Sequence, residues 1–192
     1  ETSMDVFGIG LPSDSLRNVS HIASRITLAR ADLGEYQTTL ELLRDIQPSH
    51  VFHLAAQASV RRSWENPVAT LVNNITAQAN LLHAIVQLDL RPRVLIVGSA
   101  DEYCLVALED LPISEEIALR PINPYAVSKI AQDFLGFQYY LSHSLPVVRV
   151  RPFNHIGPRQ APGFVVPDFC QQIALIEAGR QGPGIRVGNL DA

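Results

Sequence analysis

The stretch that decides the fold is VFHLAAQASVRRSWENPVATLVNNITAQANLLHAIVQLDLRPRVLIV, residues 51–97. It begins with the apolar run 51–55 and ends with the apolar run 94–97, and such runs are typical of strands buried on both faces. Between them, Asn66 and Pro67 predict the start of a helix that carries an apolar stripe at helical spacing. A strand, a helix and a strand in this order predict a parallel βαβ unit with a right-handed crossover.

The same alternation continues on both sides of this unit. Strands are predicted over 4–7, 26–29, 147–150 and 185–187, and helices over 34–47, 123–143 and 164–178, with an irregular segment at 100–122. This pattern predicts an α/β fold with a doubly wound parallel sheet. Ligands of such sheets bind beyond the carboxyl ends of the strands, so the residues just after each strand form the candidate site.

Composition excludes several classes of protein. The chain has 192 residues and a formal net charge of −4, which argues against nucleic acid as its main partner because nucleic-acid-binding surfaces are basic. No apolar run approaches the ~20 residues that cross a bilayer, so we expect no membrane span. Cys104 and Cys170 match no metal-ligand spacing and no disulfide framework, so we expect no metal and a cytoplasmic protein.

The only lysine, Lys129, follows Tyr125 by four positions. On a helix this spacing places both side chains on one face, where a cation would lower the pKa of the tyrosine. Tyr125 is therefore a candidate general acid/base, and Ser99, at the end of a predicted strand, is a candidate partner at the same substrate oxygen. Taken singly, a surface lysine beside a helix-start tyrosine and a turn-forming serine remain open alternatives.

Four motifs occur in a fixed order along the chain, and they are HLAAQ at 53–57, SADEY at 99–103, NPYAVSK at 123–129 and RPFN at 151–154. In this order they resemble the extended short-chain dehydrogenase/reductases, which have a Rossmann-type fold, and most closely their nucleotide-sugar members. The stretch FNHIGP at 153–158 is most similar to GDP-4-keto-6-deoxy-D-mannose reductases, which make GDP-D-rhamnose. The resemblance spans nearly the whole chain.

The resemblance implies an NAD- or NADP-dependent oxidoreductase that transfers a hydride between the nicotinamide and C4 of a GDP-4-keto-6-deoxyhexose. Tyr125 would exchange a proton with the C4 oxygen, Ser99 would hydrogen-bond the same oxygen, and Lys129 would hold the nicotinamide ribose. Further cofactor contacts are implied for Asp32, Leu54, Ala55, Ala56, Asn74 and Pro152. Asn154 is implied to contact the diphosphate of the substrate.

Asp101 leaves a second activity open. Related 4,6-dehydratases have a carboxylate at this place, and removing water from C5 and C6 of the sugar needs such a group. The resemblance therefore implies a reductase first and a GDP-mannose 4,6-dehydratase as the alternative. A non-catalytic nucleotide-binding relative is a third hypothesis, although such relatives usually lose the tyrosine or the lysine. The choice between NAD and NADP stays open, with a slight preference for NADP.

Alignment by these motifs places GIG, residues 8–10, at the second strand of the family and not at its glycine-rich phosphate loop. We therefore expect the first strand and that loop to lie before Glu1 and most of the substrate domain to lie after Ala192. On this interpretation, residues 1–152 are an incomplete NAD(P)-binding domain and 153–192 begin the nucleotide-sugar-binding region. The resemblance also implies a homodimer formed through the helices that start at Asn66 and Asn123.

Overall fold

The computed structural model describes residues 4–188, so the outermost residues of both predicted domains lie outside the described part. The chain divides into two compact units, Glu1–Phe153 and Asn154–Ala192. Within the described residues, the strands are β1 (Phe7–Gly10), β2 (Thr27–Arg30), β3 (His50–His53), β4 (Arg93–Val97) and β5 (Val147–Val150). The α-helices are α1 (Tyr36–Ile46), α2 (Val60–Glu65), α3 (Pro67–Gln87), α4 (Pro124–His143) and α5 (Val165–Glu177).

All strand pairs in the described residues are parallel. β1 pairs with β2 in one sheet, and β3, β4 and β5 lie side by side in that order in a second sheet. Helices separate β2 from β3, β3 from β4 and β4 from β5 along the chain. The predicted α/β class with parallel strands is confirmed.

Helix starts follow the predicted Asn-Pro pairs. The Asn66 side chain accepts a hydrogen bond of 3.0 Å from the Ala69 amide, and the Asn123 side chain accepts one of 2.7 Å from the Ala126 amide. Each asparagine thereby satisfies one amide of the first turn, and proline is tolerated at the next position because its missing N–H has no helical partner there. The two caps thereby define the residues at which these long helices begin.

Two predicted strands differ from the structure. The strand predicted at 4–7 is found at Phe7–Gly10, where each of its residues pairs in register with one of Thr27–Arg30. Residues 185–187, predicted as a strand, form none. The Gln172 side chain accepts a hydrogen bond from the Arg186 amide at 2.6 Å and donates one to the Arg186 carbonyl at 3.1 Å, so a helix side chain takes the place of a neighbouring strand.

Two short elements were not predicted. One is the 3₁₀-helix Arg17–Arg25, and the other is α2, which is capped by Ser59 through a 3.3 Å bond from the Arg62 amide. A further 3₁₀-turn, Ala100–Glu102, lies in the segment expected to be irregular, as does Leu108–Asp110. No helix in the described ranges is long and apolar enough to cross a membrane.

The core of the first unit is built on α3, α4 and β4. α3 packs against α1 and α4, and α4 packs against β4 and β5. Fully buried apolar side chains come from α3, from β4 and from the connection between α4 and β5, and they include Leu82, Ile85, Val94, Ile96 and Leu145. α4 is thereby held firmly against the strands whose carboxyl ends carry the candidate site.

Gly136 allows the close approach of α4 to the sheet. A Cβ added there would overlap the Cδ1 of Ile96 and would lie 3.3 Å from Cγ1 of Val147. We predict that Gly136→Val lowers the free energy of unfolding by about 1–3 kcal/mol, since overpacking of this kind forces shifts in a filled core. Urea denaturation measures the change.

The matched control is Gln138→Val, which places the same side chain at an exposed position of the same helix. Its cost should stay within the helix propensity difference of a few tenths of a kcal/mol. Equal stabilities of the two variants would contradict the close packing at Gly136.

Candidate active site

The carboxyl end of β4 is held by backbone hydrogen bonds to β5 and the residues that follow it. The Gly98 amide donates to the Val150 carbonyl at 2.7 Å, and the Ala100 amide donates to the Pro152 carbonyl at 3.0 Å. Ser99 lies between these two anchored residues. The structure therefore places Ser99 and Pro152 at the same end of the sheet.

Ser99 caps the 3₁₀-turn Ala100–Glu102. Its hydroxyl accepts a hydrogen bond from the Asp101 amide at 3.2 Å, while the Glu102 carboxylate accepts one from the Ser99 amide at 2.8 Å. The Ser99 side chain also acts on the phenol of Tyr125 and lowers the pKa of that phenol. Ser99 therefore forms the turn and also serves as the predicted partner of Tyr125, because the cap fixes its backbone while its hydroxyl faces Tyr125.

Tyr125 lies in the first turn of α4 and is partly buried. Burial raises its pKa above 10, the hydrogen bond from Ser99 lowers it by less, and the negative charges of Asp101 and Glu102 raise it further. The net shift is upward, where a lowering beside Lys129 was expected. Desolvation of the phenol is the larger effect, so Tyr125 is a protonated acid at neutral pH.

Lys129 lies one turn after Tyr125 and is only 5% exposed. Its Nζ atom lies 5.9 Å from the centre of the Tyr125 ring and donates a 2.9 Å hydrogen bond to the Val97 carbonyl, the last residue of β4. Burial lowers the pKa of Lys129 to about 8, and the charge of Glu102 opposes this effect. The lysine is a core-facing cation and not a surface one.

Asn74 has a positioning role. It is fully buried in α3, where its Oδ1 accepts from the Gln57 amide at 2.7 Å and its Nδ2 donates to Ser128 Oγ at 2.9 Å and to the Gln57 carbonyl at 3.2 Å. Oδ1 also accepts from Asn73 Nδ2. Because protein groups use all its hydrogen-bonding capacity, Asn74 fastens the loop after β3 to α4, where direct cofactor contact was expected.

Asp101 stands beside the Ser99–Tyr125 pair. Its carboxylate acts on the Tyr125 phenol through its charge, and its Oδ2 lies 3.5 Å from Nδ2 of Asn123, the residue that caps α4. A carboxylate therefore lies near the candidate acid/base, as the dehydratase alternative requires.

The other predicted residues lie at strand ends or in the second unit. Leu54 and Ala55 are exposed and Ala56 is half-buried in the segment after β3, the strand that pairs with β4. Asp32 follows β2 in the other sheet, is exposed, and accepts a 2.8 Å hydrogen bond from the Gly34 amide. Asn154 is exposed and belongs to the second unit.

A buried charged cluster beside this site was not predicted. Arg151 Nε donates to Asp133 Oδ2 at 2.6 Å and lies 3.0 Å from Glu102 Oε2, and its Nη1 donates to the Tyr103 hydroxyl at 3.0 Å. Arg149 forms a second ion pair with Asp133. Two sequence signals could have indicated it, namely two arginines two positions apart at the end of a predicted strand and an aspartate four residues after Lys129.

Metal chemistry has no ligand set in this part of the chain. Among residues 4–188, no group of three or more histidine, cysteine, aspartate or glutamate side chains is placed to hold a metal ion. His53, the most buried histidine near the site, lies at the end of β3, and burial lowers its pKa to about 4. It is neutral at physiological pH.

Comparison with known proteins identifies the family. The sequence model of the family described as GDP-mannose 4,6 dehydratase matches residues 9–192. The chain belongs to this family. Its resemblance to the nucleotide-sugar short-chain dehydrogenase/reductases is thereby confirmed.

Two relatives represent the two activities that the sequence left open. GDP-6-deoxy-D-mannose reductase of Pseudomonas aeruginosa is 38% identical over 162 residues, which cover 84% of this chain and 53% of that protein. A GDP-mannose 4,6-dehydratase of Sordaria araneosa is 31% identical over 194 residues, which cover 100% of this chain and 36% of that protein. The chain thus spans about half or less of the length of these relatives.

Solved structures of relatives have the same fold. RMD from Pseudomonas aeruginosa complexed with NADPH matches with a TM-score of 0.79 and 32% identity, over 93% of this chain and 64% of that one. UDP-glucose 4-epimerase of Thermus thermophilus in complex with NAD matches with a TM-score of 0.79 and 28% identity, over 91% of this chain and 55% of that one. The predicted doubly wound, Rossmann-type architecture is confirmed.

The buried cluster yields a stability prediction. Asp133 is 1% exposed and serves both arginines, so Asp133→Ala leaves two cations with one remaining carboxylate. We predict a loss of about 3–5 kcal/mol in the free energy of unfolding, the range found when one partner of a buried ion pair is removed. Chemical denaturation provides the measurement.

The matched control removes a carboxylate from an exposed pair. Glu65→Ala breaks the ion pair with Arg61 on the surface of α2, where such pairs contribute about 0.3–0.5 kcal/mol. If Asp133→Ala cost no more than this control, the cluster would not stabilise the fold as its burial indicates.

Proposed function

We propose that the whole protein is an NAD(P)-dependent oxidoreductase that acts on C4 of a GDP-4-keto-6-deoxyhexose. The observation that carries the proposal is the placement of Ser99 and Tyr125 together at the carboxyl end of β4, with Lys129 one helical turn behind the tyrosine. The 38% identity to a GDP-6-deoxy-D-mannose reductase supports the reductase over other members of the family.

The residues present fit a nicotinamide cofactor. An ammonium group has three N–H donors, and within residues 4–188 Lys129 has one acceptor, the Val97 carbonyl. Its remaining donors suit the neighbouring hydroxyls of a ribose. Leu54, 71% exposed just beyond β3, offers an apolar surface at the strand end where dinucleotides bind. When bound, NADPH or NADH supplies the hydride.

Tyr125 supplies the proton in the reductive direction. A raised pKa keeps its phenol protonated at neutral pH, so it can donate to the C4 oxygen as the carbonyl carbon becomes an alcohol. The Ser99 hydroxyl would hold the same oxygen and limit its movement. The tyrosinate that remains recovers its proton from solvent.

A GDP-mannose 4,6-dehydratase is the second candidate. Asp101 supports it because its carboxylate lies close enough to Tyr125 to act on the phenol electrostatically. Elimination of water from the sugar requires a group that removes one proton and a group that delivers another to the departing hydroxyl. Asp101 is the residue beside Tyr125 whose carboxylate suits that additional proton transfer.

Tyr125→Phe tests the shared chemistry. We expect turnover of GDP-4-keto-6-deoxymannose with NADPH or NADH to fall at least about a hundred-fold, the usual contribution of general acid catalysis, while thermal stability changes little. Consumption of reduced cofactor, followed by its absorbance, measures the rate. Tyr140→Phe, on an exposed side chain of the same helix, is the control and should retain full activity.

Wild-type turnover in the Tyr125→Phe protein would overturn the assignment. Tight cofactor binding with no turnover by the wild type would favour the non-catalytic relative. Asp101→Asn separates the two enzymes: loss of product from GDP-mannose without added reductant identifies the dehydratase, and an unchanged reduction of the 4-keto sugar identifies the reductase.

We also propose that the protein is a homodimer formed through α3 and α4. Exposed apolar side chains line both helices, and they are Val68, Val72, Val127, Phe134, Phe137, Tyr140 and Leu141. Monomers rarely leave apolar patches of this extent uncovered. Light scattering should give the mass of two chains for the wild type and one chain for Phe134→Asp.

Leu108→Asp is the control for this interface, since Leu108 is more exposed still but lies on another element. A dimer that survives Phe134→Asp would exclude this face as the interface.

We propose that the protein lies in the cytoplasm, because both cysteines, Cys104 and Cys170, are free thiols and suit a reducing compartment.

A further inference from the structure

Glu102 is fully buried directly beside the candidate active site. Its Oε1 accepts the 2.8 Å hydrogen bond from the Ser99 amide and fills the space that a Cβ at Gly98 would need. A larger residue at 98 would therefore displace this carboxylate. Glu102 thus fixes the backbone of Ser99 from inside the protein.

The second oxygen of Glu102 is less well satisfied. Oε2 lies 3.0 Å from Nε of Arg151, but that N–H donates to Asp133, and within residues 4–188 Oε2 has no hydrogen-bond donor. Two carboxylates therefore compete for one guanidinium. A buried acceptor without a donor lowers the stability of the folded protein, so other interactions of Glu102 must compensate for this loss.

Ionisable groups lie on two sides of Glu102. Tyr125, Lys129 and Asp133 are on α4, and Arg151 lies directly after β5. Asp101 precedes Glu102 on the same turn, and Arg149 pairs with Asp133. Burial, together with the charge of Asp133, raises the pKa of Glu102 to about 7, while the Ser99 amide and Arg151 oppose the rise. The carboxylate is therefore charged above neutrality.

The charge of Glu102 reaches the lysine. It raises the pKa of Lys129 and so limits the lowering by burial, which leaves this pKa at about 8. His53, which faces Lys129 from β3, is neutral in this range because its own pKa is about 4. Between pH 7 and 8, Glu102 is thus the group that favours the ammonium form of Lys129.

We propose that Glu102 is a positioning residue of the active site, which holds the Ser99 amide with one carboxylate oxygen and keeps Lys129 in its charged form by its negative charge. The contribution of this role to catalysis rests on the function proposed above. The two contributions of Glu102 are separable, because one needs an acceptor at the right distance and the other needs a charge.

The charge state of Lys129 can be followed through its own side-chain resonance. Lys129 is the only lysine of residues 1–192, so in protein grown with ¹⁵N- and ¹³C-labelled lysine its side-chain resonance is assigned by its loss in Lys129→Arg, and its titration is read by NMR without cofactor, substrate or turnover. We expect a midpoint near 8 in the wild type and a lower midpoint in Glu102→Gln, which keeps the acceptor for Ser99 but removes the charge. Glu109→Gln, at an exposed position of the next 3₁₀-turn, should leave the midpoint unchanged.

Glu102→Asp provides the converse variant. It keeps the charge but is one methylene shorter, so the Lys129 midpoint should remain close to that of the wild type while hydrogen exchange at the Ser99 amide becomes faster. Glu102→Gln should show the reverse, with a shifted midpoint and a protected amide. If Glu102 had only a structural role, each variant would change both the Lys129 midpoint and the exchange rate of the Ser99 amide, or neither.

The wild type alone also decides the question if a variant does not fold. The Lys129 resonance should show a second inflection near pH 7, where Glu102 loses its proton. A single inflection in the wild type, or equal midpoints in the wild type and Glu102→Gln, would overturn the proposal. These readings do not depend on turnover, so failure of Tyr125→Phe to reduce activity would overturn the proposed function and leave this result standing.

Discussion

Arg151 binds Asp133 and contacts Glu102 at the point where β5, α4 and the turn after β4 meet, and the candidate site depends on this arrangement. Each of these elements carries a part of the chemistry: Tyr125 and Lys129 lie on α4, Ser99 follows β4, and Pro152 follows Arg151 directly. A buried ion pair of this kind contributes little net stability compared with apolar packing, because both groups lose their hydration. Its contribution to the site is the contact itself, which joins β5, α4 and the turn after β4 at one guanidinium.

Much of the fold follows from local sequence, while the exceptions depend on distant contacts. The Asn-Pro pairs at 66 and 123 predict helix starts because the cap and the first turn involve neighbours in the chain. The strand predicted at 185–187 fails for the opposite reason, because Gln172 bonds its backbone from a helix more than ten residues earlier. Apolar content indicates that a segment is buried, but not which group satisfies its main chain.

In the candidate site, too, some features follow from local sequence and others depend on distant contacts. The spacing of Tyr125 and Lys129 is a property of one helix and was predictable, whereas the direction of the pKa shift of Tyr125 depends on how far α4 is buried against the sheet. The cluster of Glu102, Asp133 and Arg151 joins residues that are dispersed along the chain. Asn74 likewise has a role that only becomes apparent when its four hydrogen bonds are known.

The parallel pairing of the strands has a consequence for how the chain reaches this structure. His50 pairs with Arg93 and Val94 pairs with Val147, so each strand contact closes a loop of more than forty residues. Such long-range closures are slow, because the entropy of the loop is lost before the contact is gained. The helices can form early from their own caps, while the carboxyl ends of the strands come together late. We therefore expect the candidate active site to be assembled in the last steps of folding.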